Sequence, residues 1–202
     1  MTWVKVCGLT RESDVADAVD AGADALGFVL APRSPRALDR TRAAALMEGV
    51  PMLRILVTVD LPAGELAEAV AETGADGIQP HGAHAREGAR WAQSCGLMVL
   101  RPIAPQSVGV WNDANVPEGQ IPLLDSATGD EHGGTGRPLD WNRVVPPDRR
   151  FVLAGGLTPD NVATAIRTLE PWGVDVSSGL ESAPGIKDPA RVLAFLQEAK
   201  RQ

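Results

Sequence analysis

Eight short apolar runs recur along the chain, and polar segments with the periodicity of helices lie between them. The runs are continuous rather than alternating, as is typical of strands that are buried on both faces of a parallel sheet. They cover residues 3–7, 25–30, 53–59, 77–79, 97–103, 121–125, 151–154 and 174–177. Eight parallel strands separated by helices close into a barrel, so the pattern predicts an α/β fold of the (βα)8 TIM-barrel type.

The segments between the runs support this interpretation. Apolar residues recur at positions i, i+3, i+4 and i+7 within 162–169 and again within 192–199, which predicts helices there. Thr158 and Asp188 each precede a proline, a pairing that is typical of helix starts. Residues 21–26 and 73–78 have similar sequences, and residues 173–176 resemble both. In each segment the glycine, which is Gly22, Gly74 or Gly173, is predicted to end a helix.

The length of the chain limits how the barrel can be built. The 202 residues predict one domain, spanning 1–202, near the lower size limit of this fold. Loops must therefore be short, and one helix is expected to be curtailed or irregular. Segment 104–118 is the best candidate, because it contains Pro105, Gly109 and Pro117 and shows no helical period.

Composition excludes several classes of protein. The net charge of −7 is unsuited to binding nucleic acid or an anionic membrane, and no apolar run reaches the length of a membrane span. Two distant cysteines give no disulfide framework, and the start of the chain does not resemble a signal peptide. Three histidines without a His-Glu-x-x-His motif predict no metal site. We expect a cytoplasmic protein.

Two candidate catalytic groups end predicted strands, where the active site of such a barrel lies. Cys7 ends the first strand and could act as a base if it ionised, although a buried cysteine is often just a small apolar residue. Asp125 ends the sixth strand and could act as an acid if its pKa rose. The alternative for Asp125 is a carboxylate that caps a loop or pairs with an arginine.

Glycine and serine follow the last two strands and predict a phosphate site. Gly155 and Gly156 follow the seventh strand, and Ser177, Ser178 and Gly179 follow the eighth. Backbone N–H groups can approach an anion closely at glycine, and hydroxyls add further donors. Alternatively, these glycines only form tight turns.

Arg36 lies in the proline-flanked segment 32–36 and could bind a carboxylate with two parallel hydrogen bonds. The alternative is a solvated surface arginine.

Short motifs that occur in a fixed order identify a family. They are Lys-Val-Cys-Gly-Leu-Thr at 5–10, Gly-Phe at 27–28, Ser-Pro-Arg at 34–36, Gln-Pro-His-Gly at 79–82, Leu-Asp at 124–125, Gly-Gly-Thr-Gly at 133–136, Asp-Trp at 140–141, Ala-Gly-Gly-Leu-Thr-Pro-Asp-Asn at 154–161, Asp-Val-Ser-Ser-Gly at 175–179 with Glu181, and Gly-Ile-Lys-Asp at 185–188. This ordered set resembles the phosphoribosylanthranilate isomerases over nearly the whole chain.

The resemblance implies an Amadori rearrangement in tryptophan biosynthesis, with no cofactor and a small sugar phosphate as the substrate. It implies that Asp125 is the general acid, that Cys7 is the general base and that Arg36 holds the anthranilate carboxylate. The phosphate would be bound by the glycine and serine loops named above. The resemblance also assigns Gln79, His81 and Asp175 to the substrate-binding set.

Two alternatives remain: another sugar-phosphate barrel enzyme, such as an epimerase or the related histidine-pathway isomerase, and a protein of another class that only binds ligands. The related isomerase of the histidine pathway uses two aspartates, one of them at the first-strand position, where this chain has Cys7. A barrel that only binds phosphorylated ligands would keep the glycine loops but would not need Cys7 and Asp125 together. The sequence is compatible with a monomer or a homodimer, and acceptance of a second, histidine-pathway substrate remains open.

Overall fold

Eight parallel strands form a closed barrel. The computed structural model of the chain describes residues 1–103, 116–125, 141, 144 and 146–202. The barrel strands follow one another in sequence order and are Trp3–Cys7 (β1), Ala25–Leu30 (β2), Leu53–Val59 (β3), Gly77–His81 (β4), Met98–Ile103 (β5), Ile121–Leu124 (β6), Val152–Leu153 (β7) and Gly173–Val176 (β8). Strand β8 pairs with β1, which closes the sheet. The predicted (βα)8 barrel is confirmed.

Helices connect most of the strands along the outside of the barrel. Within the described residues they are Glu12–Asp20 (α1), Arg40–Met47 (α2), Ala63–Thr73 (α3), Ala85–Ser94 (α4), Val162–Leu169 (α5) and Pro189–Lys200 (α6). The segments after β5 and β6 fall mostly on residues 104–115 and 126–140. The predicted irregular helix within 104–118 and the Gly-Gly-Thr-Gly motif at 133–136 therefore lie largely or wholly outside the described residues. In the described part of the chain, every helix is too short or too polar to cross a membrane.

A small hairpin that was not predicted from the sequence lies between β8 and α6. Its strands are Glu181–Ala183 (β9) and Ile186–Lys187 (β10), and a 3₁₀ turn at Ser178–Leu180 precedes it. The Thr10 hydroxyl, in the loop after β1, donates a 2.6 Å hydrogen bond to the carbonyl of Gly185. The hairpin is thereby held against the carboxyl end of the barrel.

Two predicted boundaries of helices are wrong. Helix α5 begins at Val162 rather than next to Thr158, because the Asn161 side chain stabilises a turn first: it accepts from the Thr158 N–H and donates to the Gly156 carbonyl. Gly173 does not end this helix but lies within β8, and Glu170 adopts the left-handed conformation instead. Asp188 does cap α6, as predicted, by accepting from the backbone of the first turn.

Alternation along the strands separates two apolar layers. One set of side chains, which includes Val4, Val6 and Phe28, faces the helices. The other set faces the barrel axis, where one apolar cluster consists of Ala25, Ile55, Leu100, Leu123, Val152 and Ala154. Polar side chains, among them Lys5, Gln79 and Asp175, also lie in the interior of the barrel.

Candidate active site

A fully buried lysine lies in the middle of the barrel. Lys5 on β1 donates hydrogen bonds to Oδ1 of Asp175 on β8 at 2.9 Å and to Oε1 of Gln79 on β4 at 2.8 Å. Lys5 and Asp175 are direct neighbours in the β1–β8 register. Burial alone lowers the pKa of Lys5, but the charges of Asp175 and Cys7, together with hydrogen bonding to Asp175, raise it above its ordinary value. Lys5 therefore stays an ammonium ion throughout the neutral range.

Cys7 lies one layer above Lys5 on the same inward face of β1. Its side chain is 7% exposed and packs against Val29, Ala31 and Val57. Burial raises the pKa of the Cys7 thiol above its ordinary value, although the positive charge of Lys5 acts in the opposite direction. The sulfur thus faces the barrel axis near the rim, with a cation below it.

Asp125 follows β6 directly, and its backbone N–H donates to the carbonyl of Ile103 at 3.3 Å. It is half-buried. Because Leu123 packs inside the barrel, alternation directs the Asp125 side chain towards the same axis. Strands β6 and β1 are three steps apart around the barrel, so Asp125 and Cys7 approach the central space from different sides.

Arg36 belongs to a buried cluster of three charges. Its Nε and Nη2 donate to the two carboxylate oxygens of Glu181 at 2.6 and 2.7 Å. Lys187, whose side chain is fully buried, donates to Glu181 Oε1 at 3.0 Å and to the Ser177 carbonyl at 3.1 Å. Burial would raise the pKa of Glu181, but the two cations hold it below its ordinary value. The cluster carries two positive charges and one negative charge.

Gly8 allows the Arg36 side chain of this cluster to lie next to the end of β1. Gly8 follows Cys7 with a φ of +74°, and a Cβ atom there would lie 2.4 Å from Cδ of Arg36 and 2.9 Å from Oγ of Ser177. Any larger residue would collide with the arginine side chain. The loops after β1, β2 and β8 therefore meet at Gly8, beside Cys7.

The loops after β7 and β8 pack directly on each other. Gly155 and Gly156 have φ values of +88° and +67°, which favour glycine. A Cβ atom on Gly179 would lie 1.9 Å from the carbonyl oxygen of Leu157, so this contact also requires glycine. The buried Oγ of Ser177 has no hydrogen-bond partner among the described residues. Ser178 begins the 3₁₀ turn next to it. In these loops the Ser177 hydroxyl is available to a ligand, and the glycines allow a ligand to approach the backbone closely.

Gln79 and His81 lie at the carboxyl end of β4. Gln79 is buried, and its Nε2 is 3.3 Å from Nε2 of His81. Because Oε1 of Gln79 accepts from Lys5, the Gln79 side chain links the buried lysine to a half-buried group at the rim. Within the described ranges, no group of three or more His, Cys, Asp or Glu side chains is arranged to hold a metal ion.

The structure thus places the sequence-predicted residues around the carboxyl end of one barrel, but it adds partners that sequence reasoning missed. Glu181 and Lys187 were not selected as site residues, because nothing in their spacing links them to Arg36, which is 145 positions from Glu181. The pairing of Lys5 with Asp175 had a signal: each is a charged residue inside an apolar run.

Comparisons with known proteins identify the family. The family model described as N-(5′-phosphoribosyl)anthranilate (PRA) isomerase matches residues 4–198. The N-(5′-phosphoribosyl)anthranilate isomerase of Chromohalobacter salexigens is 41% identical over 204 residues, which cover 98% of this chain and 93% of that protein. The corresponding protein of Rubrobacter xylanophilus is 39% identical, with 99% of this chain and 100% of the relative covered.

Solved structures agree with this result. TrpF from Jonesia denitrificans superposes with a TM-score of 0.84 at 38% identity, covering 99% of this chain and 97% of that one. A phosphoribosyl anthranilate isomerase in complex with reduced 1-(o-carboxyphenylamino)-1-deoxyribulose 5-phosphate gives 0.79 at 29% identity, with full coverage of both chains. Monomers generated from the dimeric isomerase of Thermotoga maritima give 0.80 at 29% identity, also with full coverage. Because the family model and these relatives match nearly the whole chain, the protein belongs to the N-(5′-phosphoribosyl)anthranilate isomerase family.

Proposed function

We propose that this chain converts N-(5-phosphoribosyl)anthranilate into 1-(2-carboxyphenylamino)-1-deoxyribulose 5-phosphate in tryptophan biosynthesis. One observation carries the proposal: Cys7 ends β1 and Asp125 follows β6, both on the inward side of the same barrel, whose carboxyl end also carries Arg36 and the glycine loops. A sugar phosphate lying across this end of the barrel would have a thiol and a carboxyl group on different sides.

The charges near the rim fit a substrate with two anionic ends. The cluster of Arg36, Glu181 and Lys187 has a net charge of +1, so a carboxylate would neutralise it. Glu181 binds one edge of the Arg36 guanidinium, and among the described residues no other side chain bonds to that group. An anthranilate carboxylate could therefore bind the remaining N–H groups. The phosphate would bind the Ser177 hydroxyl and the glycine backbone after β7 and β8.

The reaction divides into two proton transfers. The Asp125 carboxyl would donate a proton to the furanose ring oxygen while the bond between that oxygen and C1 breaks, which opens the ring to a protonated Schiff base. The Cys7 thiolate would then remove the proton from C2, and the electron pair of that bond would form an enolamine. Tautomerisation of the enolamine gives the ketone. One proton is supplied and one is removed, so the balance needs neither an oxidant nor a reductant.

Gln79, His81 and Asp175 belong to the sugar-binding part of this proposal. Asp175 and Gln79 are both held by Lys5, so their remaining polar atoms would be presented to a sugar with fixed orientation. His81 stands above Gln79 on the same strand and would contact the substrate nearer to the rim.

The partner that we propose is a small molecule rather than a nucleic acid or a membrane. A net charge of −7 repels both kinds of polyanionic surface, whereas the cluster of Arg36, Glu181 and Lys187 keeps a net positive charge at the barrel mouth. We further propose a cytoplasmic enzyme that acts as a monomer or a homodimer.

Turnover of freshly prepared substrate tests the function. The fluorescence of N-(5-phosphoribosyl)anthranilate should fall when purified protein is added without metal or nucleotide. Cys7→Ala and Asp125→Asn should each abolish this loss while the circular dichroism spectrum stays unchanged. Cys95→Ala, at the exposed cysteine, is the matched control and should retain full activity. If the wild-type protein bound the substrate but left its fluorescence intact, the chain would be a binding protein and the proposed reaction would be wrong.

A further inference from the structure

We propose that Lys5 is a positioning residue that acts as the counter-ion of the Cys7 thiolate from inside the barrel. This inference rests on the proposed function, in which Cys7 is the base. The effect of the buried ammonium group on the ionisation of the Cys7 thiol can be measured without any substrate.

The proximity of Lys5 and Cys7 depends on a glycine that gives both side chains room. Gly27 is the register neighbour of Cys7 on β2. A Cβ atom on Gly27 would lie 2.7 Å from Sγ of Cys7 and 3.0 Å from Cε of Lys5. Sγ of Cys7 and Cε of Lys5 therefore lie within about 6 Å of each other. The ammonium nitrogen is bonded to that Cε atom, so its charge is close enough to shift the pKa of the thiol.

Lys5 is held in place by partners on two other strands. An ammonium group has three N–H donors, and two of them go to Asp175 and Gln79. Both acceptors are buried, so the lysine cannot turn towards water. The third donor is not used by these two acceptors. Because Asp175 keeps Lys5 charged, a full positive charge persists beneath the sulfur.

The other charged groups near Cys7 also have to be counted. Lys187 from β10 and Arg36 from the loop after β2 face it as cations, and Asp175 from β8 faces it as an anion. His81 ends β4 and Asp125 follows β6 on the same inward face, whereas β3 contributes the apolar Val57. Lys187 and Arg36 both share Glu181, so much of their charge is already balanced.

Burial opposes ionisation of Cys7, and Lys5 counteracts it. Among the charges that act on the pKa of Cys7, Lys5 has the largest favourable effect. A buried thiol without this partner would ionise only at strongly alkaline pH. Removing Lys5 should therefore raise the pKa of Cys7 further and lower the fraction of thiolate at neutral pH.

The test measures the reactivity of the Cys7 thiol in ligand-free protein. Every variant is made in a Cys95→Ser background, in which Cys7 is the single thiol of the chain. The rate of alkylation by iodoacetamide is measured against pH, because only the thiolate reacts. Lys5→Met should move the midpoint of this curve upward by about 1 to 3 pH units. The matched control is Lys200→Met, which removes a lysine that pairs with Asp24 instead.

Two further variants keep the inference testable if the lysine variant is unstable. Lys5→Met with Asp175→Asn removes both charges of the buried pair and should fold better. Because Asp175 itself disfavours the thiolate, this variant is compared with Asp175→Asn alone and should have the higher midpoint. Lys5→Arg keeps the positive charge and should restore most of the wild-type midpoint. The midpoint of the pH dependence of kcat/KM should move with the alkylation midpoint. An unchanged midpoint in folded Lys5→Met, or a midpoint in the double variant no higher than in Asp175→Asn alone, would overturn the inference. Inactivity of the wild-type protein with an intact alkylation shift would instead overturn the proposed function.

Discussion

Replacing Glu181 by glutamine should destabilise the protein strongly, although the two side chains have nearly the same shape. Nε of Arg36 and Nζ of Lys187 both bind Oε1 of Glu181, at 2.6 and 3.0 Å. The side chains of Arg36, Glu181 and Lys187 are 13%, 6% and 0% exposed. Loss of the carboxylate charge would leave two buried cations side by side.

The magnitude follows from this geometry. At a separation of about 5 Å and an effective dielectric constant of about 20, two unit charges repel each other by about 3 kcal/mol. Breaking a buried ion pair by removing one partner costs ~3–5 kcal/mol, which agrees with that figure. We expect Glu181→Gln to lower the free energy of unfolding by about 3 kcal/mol. Burial already depresses the pKa of Lys187, so the lysine would release its proton before the cost rose much further.

Urea denaturation at pH 7 measures this effect. The control is Glu68→Gln, which removes one carboxylate from an exposed pair with Arg40 and should cost less than about 1 kcal/mol. Adding Lys187→Met to Glu181→Gln removes the second cation and should restore at least half of the lost stability. If Glu181→Gln cost no more than the control, the buried charge cluster would not store the energy assigned to it.

The pH dependence of this variant has a defined sign. The pKa of Glu181 is lower in the folded protein than its ordinary value. Its contribution is therefore complete above the pKa of the unfolded chain and is lost as the pH falls through the folded pKa. The stability difference between wild-type protein and Glu181→Gln should be constant near neutrality and should shrink on acidification below about pH 4. A difference that grew on acidification would contradict the assignment.

Three further substitutions test other parts of the structure. Gly27→Ala places a Cβ atom 2.7 Å from the Cys7 sulfur and 3.0 Å from its Cα, so it should cost ~1–3 kcal/mol of stability in urea and should lower kcat; normal values of both would show that the contact is loose. Gly179→Ala must push the Leu157 carbonyl away, and calorimetry should show weaker binding of inorganic phosphate than in wild-type protein. Asp188→Ala removes the cap of α6 and should cost about 1 kcal/mol in urea with unchanged kcat/KM, whereas a large loss of activity would mean that the cap also shapes the site.

Much of the barrel could be predicted because its strands are buried on both faces. The runs at 3–7, 25–30 and 53–59 match β1, β2 and β3 at both ends. Strand β7 is shorter than the predicted 151–154, since only Val152 and Leu153 pair with both neighbours. A continuous apolar run thus marks where a strand lies, whereas the number of paired residues depends on the neighbouring strands.

The partners within the candidate site were harder to predict, because they depend on loops that meet only in the folded chain. The hairpin formed by β9 and β10 has no long apolar run, yet it brings Glu181 and Lys187 to Arg36. The pairing of Lys5 could be predicted more easily than that of Arg36. A charged residue in the middle of a buried strand needs a partner, and Asp175 occupies the equivalent place in the last strand.

A crystal structure of this chain with the reduced form of the proposed product tests the central claim most directly. The account predicts that the sugar lies across the carboxyl end of the barrel, with its phosphate on the Gly155–Gly156 and Ser177–Gly179 loops. The Cys7 sulfur should lie within van der Waals contact of C2, with the Asp125 carboxyl on the other side of the sugar. A ligand bound with C2 turned away from Cys7, or with its phosphate outside these loops, would contradict the account.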